Sequence, residues 1–144
     1  MKLTQHTPAG LNLIRRYGAD FVLVGDQTLH ASCIVGPNVL ITDWEPRDVP
    51  SLAVAHLEPL FSLAPELVVL ATGERQRFPS AALRAEFAMR KIGLEVMEIG
   101  AAARTYNVLV SEERKVLAAI LMSGGDPARG SGGRHRGRKV FGEA

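Results

Sequence analysis

Leu67-Val68-Val69-Leu70-Ala71 is an unbroken apolar run closed by Thr72-Gly73. Five apolar residues without alternation predict a strand covered on both faces, as in the interior of a parallel sheet. The chain after it keeps a rhythm. Ser80 to Ile92 predicts a helix, with Ser80 as its N-cap and Gly93 as its stop. Leu83 and Phe87 share one face of it, and Glu86 and Arg90 are spaced as an exposed ion pair. Leu94-Glu95-Val96-Met97 predicts the next strand. Gly100 opens a second helix to about Glu113, with Tyr106, Leu109 and Val110 on its apolar side. Val116 to Met122 is apolar, and its periodicity fits a continuing helix as well as a buried strand. Strand, helix, strand, helix implies parallel pairing through right-handed crossovers.

The chain before Leu67 reads differently. Leu11 to Tyr17, Phe21 to Val24, Thr28 to Val35 and Val39 to Thr42 are strand candidates. Short turns at Gly18-Ala19-Asp20, Gly25-Asp26-Gln27 and Gly36-Pro37-Asn38 separate them, which predicts antiparallel pairing. A short helix is predicted around Val54 to Phe61, with Pro59 limiting it. The expected fold is α/β: a mixed central sheet, antiparallel in its N-terminal portion, flanked by helices.

Composition sets bounds. The 144 residues fit one domain, 47% hydrophobic and 22% charged. Cys33 is the single cysteine, which excludes an internal disulfide framework; it reads as a small core hydrophobe. No apolar run approaches the ~20 residues that span a bilayer, and the N-terminus has no signal-like segment. A cytoplasmic location is the expectation. The chain carries a net charge of +2, but beyond Gly124 five cations face only two acids, so residues 1–123 carry −1. The domain is therefore expected over 1–123, with a disordered Gly/Arg-rich basic tail over 124–144. Nucleic acid is a weak prospect, through that tail alone.

Two blocks carry a family resemblance. One is Leu70-Ala71-Thr72-Gly73. The longer runs from Val96-Met97-Glu98-Ile99-Gly100-Ala101-Ala102-Ala103-Arg104-Thr105-Tyr106-Asn107 through Glu112-Glu113-Arg114-Lys115-Val116. About residues 10–122 resemble the MTH-like domain family, a domain of unknown function numbered four-nine-eight. The resemblance implies a three-layer α/β fold, which makes Val116 to Met122 a strand. Mitochondrial members of the family help assemble respiratory complex I. Three positions depart from the family pattern: Ala71 and Glu113 replace glycines, and Ile99 replaces a threonine. A β-carbon at Glu113 implies a backbone without positive φ there.

If the strands at 67–71 and 94–97 are parallel, their carboxyl ends open on one edge of the sheet, where such sheets bind ligands. The candidate ligand-binding set is Thr72, Gly73, Glu74, Arg75, Gly100, Arg104, Tyr106 and Asn107. Gly73 permits close backbone approach, and a helix beginning at Gly100 presents free amides and a positive dipole end. Arg75, Arg77 and Arg104 supply cations for a small anion. The competing reading makes Gly73 a turn, lets the alanines pack, and gives Tyr106 and Asn107 internal bonding duties.

No catalytic constellation is evident. His6, His30, His56 and His135 have no metal spacing, no phosphate loop or nucleophile elbow occurs, and Glu74 is the least unsuitable base. No cofactor or metal is expected. Two functions are therefore weighed. A non-enzymatic interaction or assembly module predicts a protein partner and an exposed apolar patch including Phe78 and Leu83. A small-molecule or anion-binding domain, conceivably weakly catalytic, predicts a concave pocket at Gly73. Trp44 reads as core or as a lid over a sheet edge.

Overall fold

The apolar run forms strand β7 (Leu67–Ala71), lying between two parallel neighbours, β8 (Gly93–Met97) and β9 (Val116–Ile120). The computed structural model describes residues 2–3, 10–123 and 140–143. Its larger sheet continues antiparallel from β9 to β5 (Cys33–Gly36), β6 (Val39–Ile41) and the two-residue β1 (Lys2–Leu3). The order is β1-β6-β5-β9-β7-β8, a mixed sheet.

Alternation explains the apolar run. Val69 and Ala71 point to one face with Val116, Ala118 and Ile120, while Val68 and Leu70 point to the other with Leu117 and Ala119. Helix α3 (Ile99–Ser111) covers the first face, and α1 (Glu58–Ser62) and α2 (Ala81–Met89) cover the second through Leu60, Leu83 and Phe87. Each inward side chain thus meets a packed layer. Full burial of a Leu or Val contributes about 1.5–3 kcal/mol. Trp44 belongs to the second core, where its indole N–H donates to the His56 carbonyl at 2.9 Å.

The antiparallel N-terminal part differs from the expected single sheet. Strands β2 (Ile14–Gly18), β3 (Val22–Val24) and β4 (Gln27–Leu29) form a separate sheet with β10 (Val140–Glu143), in the order β10-β2-β3-β4. The predicted strand from Thr28 to Val35 therefore breaks between β4 and β5, which lie in different sheets. Ile14, Tyr17, Val22 and Val24 cover the α3 side of the core, so the small sheet joins α3 in one layer. Strand β10 also departs from the expected disordered tail over 140–143, since it pairs antiparallel with β2. The rest of that tail, 124–139 and 144, lies outside the described residues, as does His6.

The helix ends depart from expectation too. Ser80 caps α2, accepting from the Leu83 amide at 3.1 Å. Gly93 does not stop it. Lys91 does, at φ 56°, with its amide donating to Ala88 and that of Ile92 to Phe87, each at 3.0 Å. The last helix ends alike. Glu113 has φ 60°, its amide donates to Val110 at 2.9 Å, and that of Arg114 donates to Leu109 at 3.0 Å. Positive φ is thus kept at Glu113, contrary to the expectation from its β-carbon. The two bonds that close the helix outweigh the left-handed cost of about 1–2 kcal/mol.

Candidate functional site

The carboxyl end of β7 leads into the Thr72–Arg77 loop, which organises itself. The Thr72 hydroxyl donates to the Arg75 carbonyl at 2.6 Å and accepts from the Arg77 amide at 3.1 Å. The Gln76 side-chain amide donates to the Val96 carbonyl at 2.9 Å, tying the loop to β8. Gly73 sits at φ 95°, and a β-carbon there would meet nothing. Its carbonyl accepts from the Ile99 amide at 2.8 Å, so the loop and the start of α3 are joined. The glycine serves backbone conformation rather than close packing.

A cleft of about 430 Å³ opens beside this loop, at the carboxyl ends of β7 and β9. Thr72, Gly73, Glu74 and Arg75 line it, with Arg77 alongside. Arg47 and Asp48 form part of the far wall, from the segment between β6 and α1, and Met122 and Ser123 contribute from the exit of β9. Asp48 is engaged locally, since its carboxylate accepts from the Ser51 amide at 3.0 Å. Arg75 and Arg77 make no ion pair among the described residues and are exposed.

The other half of the predicted set faces elsewhere. Helix α3 starts at Ile99, not Gly100, because Glu98 caps it: its carboxylate accepts from the Gly100 amide at 2.7 Å and the Ala101 amide at 2.8 Å. The chain's own carboxylate thus stands where a bound anion was expected. At Gly100 an added β-carbon would lie 3.0 Å from the Tyr17 phenol oxygen, so this glycine permits α3 to approach β2. Arg104 donates to that same oxygen at 3.2 Å. Tyr106 is buried and donates to the Asn12 carbonyl at 2.7 Å. Asn107 accepts from the Ile14 amide and donates to the Ile14 carbonyl, both at 2.9 Å. Gly100, Arg104, Tyr106 and Asn107 therefore attach α3 to β2 and its approach segment, and none lines the cleft.

The chemistry of these groups follows from burial. The Cys33 thiol is buried, and desolvation pushes its pKa from the ordinary 9.0 to about 12, so it stays protonated and unreactive at neutral pH. Burial also pushes the Tyr106 phenol up, which keeps it a neutral donor. Glu66 is held low by its hydrogen bond with Arg114 at 2.8 Å. His56 is used locally, accepting from the Ala53 amide at 2.9 Å. Among the described residues no three His, Cys, Asp or Glu side chains are grouped to hold a metal. No described helix is long and apolar enough to cross a membrane.

Sequence reading missed Arg47 and Asp48. They lie some 25 residues before Gly73, and only the path of the chain over the ends of β7 and β9 brings them near. The Asp48-Val49-Pro50-Ser51 cap was a local signal, but one for a helical turn rather than a site. The reading also missed a mostly apolar concavity of about 350 Å³ at the amino ends of the strands, between Leu63, Pro65, Val110 and Lys115.

Known proteins share this arrangement. Residues 14–121 match the family model described as Protein of unknown function (DUF498/DUF598). A Francisella tularensis protein named 13 kDa major membrane protein is 31% identical over 101 residues, covering 70% of this chain and 82% of that one. A Danio rerio protein named NADH dehydrogenase (ubiquinone) 1 alpha subcomplex assembly factor 3 is 30% identical over 100 residues, covering 68% of this chain and 57% of that one. This chain thus matches little more than half of that relative's length. An NMR structure of a Xanthomonas campestris protein aligns with TM-score 0.77 at 36% identity, covering 95% of this chain and 99% of that one. A Bordetella pertussis solution structure described as an Mth938-like domain shares the fold, with TM-score 0.73 at 22% identity, covering 94% of this chain and 100% of that one. The chain belongs to the DUF498/DUF598 family and has its MTH-like fold.

Proposed function

We propose that this chain is a non-enzymatic interaction module that helps other proteins assemble. One observation carries the reading: the apolar outer side of α2. Ala82, Ala85 and Met89 are exposed on that side at helical spacing, and Phe78 stands ahead of its N-cap. Phe78 is 62% exposed and Met89 67%. Exposed apolar side chains gathered in one patch mark interaction sites. Leu83, expected in the same patch, is instead buried in the core. The polar groups of α3 favour the reading as well, because they are engaged in holding the fold. Its most specific form is a role in assembling a respiratory complex, the task in the Danio rerio relative's name. A cytoplasmic location belongs to the same proposal.

Affinity capture from native lysate tests it, with the whole chain and its Phe78→Asp variant as baits. A defined set of proteins retained by the first and lost by the second is the expected result. Equal retention by both contradicts the surface, and absence of respiratory subunits removes the specific form.

A second reading is a small-anion site at the Thr72–Arg75 loop, favoured by the exposed guanidinium groups of Arg75 and Arg77 at the cleft. Titration with phosphate and small carboxylates tests it through the Gly73 amide resonance; no shift there rejects it.

A further inference from the structure

The chemistry of the cleft at the ends of β7 and β9 indicates what kind of partner it suits. Arg75 and Arg77 bring two exposed guanidinium groups to its edge, with no ion pair among the described residues. Glu74 and the locally bonded Asp48 are the acids of the same lining. The loop that carries the two arginines is fixed from within by Thr72 and tied to β8 by Gln76, so little backbone ordering is required on binding. Two exposed cations thus stand together on one edge of a domain whose first 123 residues carry −1. Phe78 follows Arg77 directly in the chain and is exposed, outside the cleft's lining.

We infer that the cleft docks an acidic segment of a partner protein, its carboxylates paired with Arg75 and Arg77 and a neighbouring apolar side chain set against Phe78. Guanidinium forks match carboxylates in pairs. A nucleic acid fits less well, because a long polyanion needs an extended cationic face and this domain has a local one. The inference rests on the interaction reading above and supplies the chemistry of its partner.

The test uses the full chain, observed by amide NMR and titrated with hexaglutamate, hexaglutamine, inorganic phosphate and a short oligoribonucleotide in turn. Hexaglutamate is expected to give saturable shifts at residues 72–78, weakening as salt rises. The double variant Arg75→Ala/Arg77→Ala, with its fold checked by an unchanged urea midpoint, is expected to bind it at least tenfold more weakly. Four results overturn the inference: hexaglutamine binding as well, the double variant binding undiminished, phosphate binding the same amides as tightly, or the oligoribonucleotide binding more tightly. Failure here, with proteins still retained in the Phe78-dependent capture, removes the acidic partner and leaves the interaction module standing.

Discussion

Glu113 shows how far a single residue type can be read. Its β-carbon implied an ordinary backbone, yet it sits at φ 60° because the helix end needs a left-handed residue there. Lys91, at φ 56°, does the same for α2. Glycine would adopt this conformation without the steric cost, so Glu113→Gly is expected to stabilise the fold by about 1 kcal/mol, seen as a raised urea midpoint. A lowered midpoint would show that the side chain contributes more than the strain. Tyr106 was open to two readings, pocket or internal post, since a sequence does not say what a phenol faces. Its bond to the Asn12 carbonyl decides for the post. Tyr106→Phe leaves that buried carbonyl unpaired and is expected to cost about 1–3 kcal/mol, measured in the same denaturation experiment.

Among the elements, β7, β8 and the body of α2 were legible because their signals are local: an apolar run, a cap, a shared face. The start of α3 was misplaced by one residue for an equally local reason. Glycine marks a break, so Gly100 drew the boundary, whereas the carboxylate of Glu98 sets it. Glu98→Ala removes the partner of two amides and is expected to lower stability by about 0.5–2 kcal/mol. An unchanged midpoint would mean that water replaces the carboxylate without loss. The candidate site split along the same line. Thr72, Gly73, Glu74 and Arg75 are neighbours in sequence and share the cleft, while the α3 residues turn their side chains to β2. Periodicity places residues on a helix side but does not identify what that side meets.

The whole molecule held the least legible feature, the division of its antiparallel strands between two sheets. Short strands joined by tight turns predict pairing but not which sheet receives them. That arrangement buries Cys33 and Tyr106 in one core, with a consequence for pH. The folded pKa of Cys33 is raised from 9.0 to about 12, so its contribution to stability is full below pH 9 and is lost as pH rises towards 12. Tyr106 is shifted in the same direction. The urea midpoint is expected to fall above pH 9, and Cys33→Ala to flatten the first part of that fall. A midpoint that stays level would contradict the burial of both groups.

On the proposed interaction reading, the molecule meets its partners along the Gly73 loop and α2, while α3 holds the fold. Hydrogen–deuterium exchange of the chain bound to its captured partner tests this most directly. Exchange is expected to slow across residues 73–89, with 99–107 unchanged from the free chain. Slowed exchange across 99–107, with 73–89 unchanged, would contradict it.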